Sequence, residues 1–100
     1  MATRKLRRSS GNVFRDLGFS REEAENLRIR SELMVRLARL IEDRGLTQAE
    51  AAKMLGVSQP RVSDLVRGKI DLFSIDMLVL MLAKAGLRVT LTARARTRVA

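Results

Sequence analysis

TQAEAAKMLGVSQPRVSDLVRGK, residues 47–69, decides the fold. It has the form of two short helices that cross steeply over a tight turn. Thr47 is a good N-cap, and Glu50 three residues on completes a capping box. Ala51, Ala52 and Leu55 then share the inner face of the first helix. A small residue is needed where the two helices touch, because a larger side chain would push them apart, and Ala52 supplies it. Gly56 supplies the reversal: without a Cβ it adopts positive φ at low cost. Ser58 caps the second helix, so Gln59 and Pro60 fall in its first turn, where proline is tolerated because those N–H groups have no intrahelical partner. Val57, Val62 and Leu65 plug the space beneath.

That spacing is the spacing of a helix-turn-helix. LTQAEAAKMLGVSQPRVSDLVRGK, residues 46–69, resembles the helix-turn-helix of the Cro and phage-repressor family, the XRE family. The resemblance implies that the second helix lies in the DNA major groove and the first crosses the backbone. Gln59, Pro60, Arg61, Ser63 and Asp64 are then the base-reading candidates. Gln59 suits adenine, Arg61 suits guanine or a phosphate, and Pro60 offers an apolar edge to a thymine methyl. Asp64 either accepts from cytosine or serves as an intrahelical partner of Arg61 or Arg67. Thr47, Gln48, Ser58, Arg67 and Lys69 are the phosphate candidates, Gln48 by the family resemblance.

Composition excludes much else. One hundred residues suffice for one small core. With no Cys and no His, disulfides, zinc fingers and thiol or imidazole catalysis are out. No coherent acid–base or metal constellation stands out, so neither enzyme activity nor a cofactor is expected. The longest apolar run, residues 77–83, is far short of a membrane span, and the basic start is not followed by a signal-peptide core, so a cytoplasmic protein is expected. The net charge of +9 is located at the ends. Residues 1–15 carry five cations and residues 88–100 carry four, with no acid in either, while residues 16–87 are neutral overall. Within that neutral middle the motif is locally cationic, with Lys53, Arg61, Arg67 and Lys69 against Asp64. Such a bias suits a phosphate backbone.

Outward from the motif, residues 1–11 form a basic arm expected to be flexible. Val13, Phe14, Leu17 and Phe19 concentrate two of the three aromatics in NVFRDLGF, residues 12–19. They either cover one end of the core or dock on a partner protein. Ser20 and Glu23 form a capping box for a long helix that Gly45 ends. Ala24, Leu27, Ser31, Met34, Ala38 and Ile41 draw its buried stripe, and a break near Arg30 and Ser31 is allowed for. Its charges Arg28, Arg30, Glu32, Arg36 and Arg39 are expected on a solvated face. Downstream, Ser74 caps a further helix that Gly86 stops, with Ile75, Leu78, Val79, Leu82 and Ala83 as its expected buried stripe; Met77, Leu80 and Met81 broaden it beyond one face, which suggests packing on both sides. Residues 87–93, LRVTLTA, switch to strict alternation, the period of a strand. A lone strand has no sheet to join, so Leu87, Val89 and Leu91 are expected to pair with their copies in a homodimer, with internal pairing as the alternative.

The expected fold class is therefore mainly α. It comprises a helix-turn-helix domain over residues 12–86 with an N-terminal helical extension, a dimerisation strand over 87–93 and a basic tail over 94–100. NVFRDLGFSREEAENLRIRSELM before the motif and GKIDLFSIDMLVLMLAKAGLRVTL after it resemble a bacterial XRE subgroup of HigA-like antitoxins. That resemblance implies a dimer that binds a double-stranded operator, represses its own promoter and neutralises an RNA-cleaving toxin of the RelE/HigB type. The same architecture would also serve a stand-alone phage-type repressor.

Overall fold

The computed structural model describes residues 12–95 of the chain; the expected basic arm over 1–11 and the end of the tail, 96–100, lie outside the described residues. Among the described residues five α-helices follow in order: α1 (Val13–Asp16), α2 (Arg21–Asp43), α3 (Gln48–Leu55), α4 (Gln59–Val66) and α5 (Ile75–Lys84). A short 3-10 turn, Ile70–Leu72, stands between α4 and α5. The helix starts are set by local side chains. Asn12 Oδ1 accepts from Phe14 N at 3.0 Å, and Ser20, Thr47, Ser58 and Ser74 each accept from the N–H three residues on. Both expected capping boxes form, Ser20 with Glu23 and Thr47 with Glu50.

The helix ends are equally local. In α2, the Leu46 N–H reaches Ile41 O at 3.1 Å and the Gly45 N–H reaches Glu42 O at 3.0 Å, the paired bonds of a Schellman closure. Gly56, with φ at 70°, turns the chain from α3 towards α4. The long helix runs unbroken through Arg30 and Ser31 for 23 residues. Apolar residues hold one register across those positions, so nothing in the packing calls for a break. Among its outward charges, Arg28 bonds Glu25 at 2.7 Å and Glu32 at 3.3 Å. The hydrogen bond to Glu25 is the main reason its guanidinium holds its proton more firmly than usual.

Met34, Leu37, Leu40 and Ile41 of α2 meet Ala51, Ala52 and Leu55 of α3, Val62 and Leu65 of α4, and Leu78, Met81 and Leu82 of α5 in one core. Phe73, 1% exposed, is the largest side chain fully buried in it. Among the described residues no buried side-chain polar atom lacks a partner. Arg44, at the end of α2, reaches Met54 Sδ at 3.4 Å and Ala85 O at 3.5 Å, linking α2, α3 and the end of α5.

The stripe expected on α5 is corrected. Leu78 and Leu82 are buried as expected and so is Met81 on the broadened side, but Ala85 joins them, whereas Val79 and Ala83 are exposed. This helix is apolar nearly all round, so periodicity alone did not choose which side the core would take. Residues 87–95 form no regular secondary structure, and no strand occurs among the described residues. A strand exists through its ladder partner, and among the described residues of one chain this segment has none. Its alternation survives in burial only as far as Thr90: Leu87 and Val89 are half-buried and Arg88 and Thr90 exposed, but Leu91 is exposed as well.

Because Gly56 sits in the left-handed region, Gly56→Ala should cost about 1–2 kcal/mol of stability. The three atoms nearest to a Cβ there all belong to the flexible end of Lys84, 3.0–3.2 Å away, so the cost is backbone strain more than a clash. Urea denaturation followed by circular dichroism checks this; an unchanged midpoint would show that the turn does not need glycine.

Candidate nucleic-acid interface

Two helix N-termini build the candidate surface. In α3, Thr47 Oγ1 accepts from Glu50 N at 3.1 Å while the Thr47 N–H donates to Glu50 Oε1 at 2.9 Å. In α4, Ser58 Oγ accepts from Arg61 N at 3.3 Å. A hydroxyl that accepts a cap bond keeps its own proton for another acceptor, so neither role as a phosphate contact is blocked by the cap. Thr47 and Ser58 are exposed, and Gln48 is half-buried in the first turn of α3.

Helix α4 packs against α3 and α2 through Val62 and Leu65, which are buried. The fold thereby turns Gln59 and Pro60 outward at the start of α4, both exposed, with Ser63 and Asp64 half-exposed one turn later. Asp64 forms no ion pair with Arg61 or Arg67, so of the two roles weighed for it the intrahelical partnership is not formed. Arg67 caps the C-terminus of α4, and it and Lys69 flank Gly68 with both cations exposed. Lys53 on α3 is exposed as well. The surface around the α3–α4 corner therefore combines amide, hydroxyl and carboxylate groups with exposed cations at its edge, a set able to contact base edges and phosphates.

Arg61 is placed differently from its expected role. Its Nη1 donates to Leu72 O at 3.0 Å, and its guanidinium carbon lies 5.4 Å from the centre of the Phe73 ring. Arg30, expected on a solvated face, is also engaged: Nη1 donates to Ile70 O at 3.2 Å and to Phe73 O at 3.1 Å. Neither contact was foreseeable from spacing, since the partners of Arg30 lie some forty residues away on the 3-10 turn.

The other candidate residues divide between two ends of the domain. Val13 and Phe14 are half-buried, while Leu17 is 66% and Phe19 40% exposed, so the N-terminal segment both covers α2 and leaves apolar surface. Phe14 and Phe19 meet edge to face, ring centres 6.3 Å apart. At the other end, Leu87, Val89 and Leu91 line an apolar groove with Ile29, Leu33, Ile75, Val79 and Ala83. Leu91 is 85% exposed. No described helix is long and apolar enough to cross a membrane.

Comparison with known proteins fits this geometry. A solved chain provisionally described as an XRE family transcriptional regulator superposes with a TM-score of 0.70 at 32% sequence identity, over 78% of this chain and 88% of that one. No curated protein matches the sequence. A family profile described as a helix-turn-helix domain matches residues 13–94, from the first helix to beyond the last. With most of its length matched and its motif folded as that family requires, the chain belongs to the helix-turn-helix domain family, in the XRE type.

Proposed function

We propose that the protein is a sequence-specific DNA-binding transcriptional regulator that lays α4 in the major groove. The observation that carries this reading is the exposed first turn of a buried-backed α4. Gln59 and Pro60 stand free there while Val62 and Leu65 hold the helix to the core. Gln59, Pro60, Ser63 and Asp64 face the bases, and Thr47, Gln48, Ser58, Arg67 and Lys69 hold the phosphates. Base contacts supply discrimination and cation–phosphate contacts supply affinity that falls with salt.

The protein acts as a homodimer through residues 87–93 and the outer side of α5. What supports this is apolar surface with no cover among the described residues: the groove beside Leu87 and Val89, together with exposed Leu91 and Leu80. Pairing the alternating segment with its copy would satisfy its backbone groups and bury Leu91 at once. Two recognition helices would then address half-sites about 34 Å apart.

The chain serves as the antitoxin of a toxin–antitoxin pair, repressing its own promoter, with Leu17 and Phe19 and the half-buried Val13 and Phe14 as the toxin-binding surface. Exposed apolar side chains ahead of a well-packed domain favour a protein partner there. A stand-alone repressor is the second reading, favoured by the packing of Val13 and Phe14 on the domain itself.

On a selected operator duplex, scrambling the sequence should lower affinity by about three orders of magnitude or more. Gln59→Ala should lose discrimination at one base position, whereas Arg67→Ala should weaken all sequences and reduce the salt slope by about one. If both variants behave alike in a binding series across salt, the proposed docking is wrong. Leu91→Lys should turn a dimer into a monomer by light scattering, and a dimer that survives would remove residues 87–93 from the interface. Co-expression with the neighbouring gene should yield a complex, and that neighbour alone should arrest growth. Operator binding without any complex would leave the stand-alone repressor.

A further inference from the structure

By sequence Arg61 occupies a base-reading position, but its side chain is turned towards the body of the domain. Its Nη1 donates to Leu72 O at 3.0 Å, and its guanidinium lies over the ring of Phe73, which is buried. From α2, Arg30 donates to Ile70 O and Phe73 O, and its Nε is steadied by Asn26 Oδ1 at 2.7 Å. Residues 70–73 are thus gripped by two guanidinium groups, one rooted in the longest helix and one in the recognition helix. The Leu72 carbonyl, at the end of the 3-10 turn, takes Arg61, and the Phe73 carbonyl, between that turn and α5, takes Arg30.

With α4 reading DNA as proposed above, we infer that Arg61 is a positioning residue. It ties the recognition helix to the turn at residues 70–73, and Arg30 ties that turn to α2. The angle at which α4 presents Gln59, Ser63 and Asp64 is set through this Arg61–Phe73–Arg30 arrangement and not by an Arg61 contact to a base. Only arginine suits the post: its planar group stacks on the ring and bonds a carbonyl together, whereas the compact ammonium of lysine reproduces the charge alone.

Three roles for Arg61 give separable results. A base contact would lose preference at one base pair when removed. A phosphate contact would weaken every sequence, flatten the salt slope by about one, and be restored by lysine. A positioning residue weakens the cognate duplex with base preferences and salt slope kept, and lysine does not restore it.

The test uses the full chain and a duplex pool randomised over about 20 base pairs, roughly two turns of DNA. Wild-type protein selects a consensus. Affinities for the consensus duplex and its single-base variants are then measured across salt for wild type, Arg61→Ala, Arg61→Lys and Arg30→Ala. Each is assayed well below its melting midpoint with the active fraction titrated, so that a residue needed only for folding would show no loss per folded molecule. We expect a loss of roughly tenfold for each of the three variants, with the order of base preferences and the salt slope unchanged. Loss of preference at one base pair, a flatter slope rescued by lysine, or full affinity in folded Arg61→Ala would each overturn the assignment. Full affinity in folded Arg30→Ala would remove α2 from it. If the wild-type chain enriches no sequence, the DNA-reading role itself fails, and the assignment with it.

Discussion

Helix α4 must be held firmly from behind while its front stays bare, and the rest of the domain is arranged around that constraint. At eight residues it is far too short to persist alone in water. It buries only Val62 and Leu65, so its two flanks must be fixed by other elements. On one flank α3 comes close, because Ala52 is small and Gly56 allows the turn. On the other, the chain returns under α4 as the 3-10 turn and Phe73, and two arginines fasten it. Remove either flank and the front of α4 would keep its residues but lose its direction.

The same economy governs the charges. The motif's free cations, Lys53, Arg67 and Lys69, stay exposed near the candidate DNA surface, while Arg30, Arg44 and Arg61 are used on backbone carbonyls or, for Arg44, also a sulfur. A count of basic residues does not separate these uses. Arginine's several fixed donors let it close the carbonyl end of a turn at the domain surface, where a lysine would remain hydrated. Apolar surface is divided likewise. One patch lies at α1, around Leu17 and Phe19, and another lies along α5 and residues 87–91, and each is where a protein partner is proposed. Neither overlaps the exposed first turn of α4.

Much of the site was legible in the sequence because it is made of local rules. A cap hydroxyl bonds an N–H three residues away, a glycine stops a helix at its own position, and a proline in a first turn loses nothing. These rules placed Ser58, Gln59 and Pro60 at the start of an exposed helix, and the structure has them there. The helix over α2 was legible for the same reason, although the allowance for a break at Arg30 was unnecessary. Arg61 and Arg30 were not legible, since each depends on a carbonyl distant in sequence. Nor was the inner side of α5: with apolar residues nearly all round, Val79 and Leu78 are equivalent until the other helices are in place.

By itself, then, the amino-acid sequence determined the helices, their caps and stops, the helix-turn-helix and the residues at the front of its second helix. Each of these is settled within a few residues by backbone hydrogen bonding and by the presence or absence of a Cβ. Only the tertiary structure decided which arginines are spent on backbone carbonyls, that the buried Phe73 ring lies under Arg61 of the recognition helix, and that Val79 and Ala83 open onto a groove. Those outcomes depend on which surfaces meet, and a side chain's partner across the core is chosen by the packing of the whole domain, which no local pattern records.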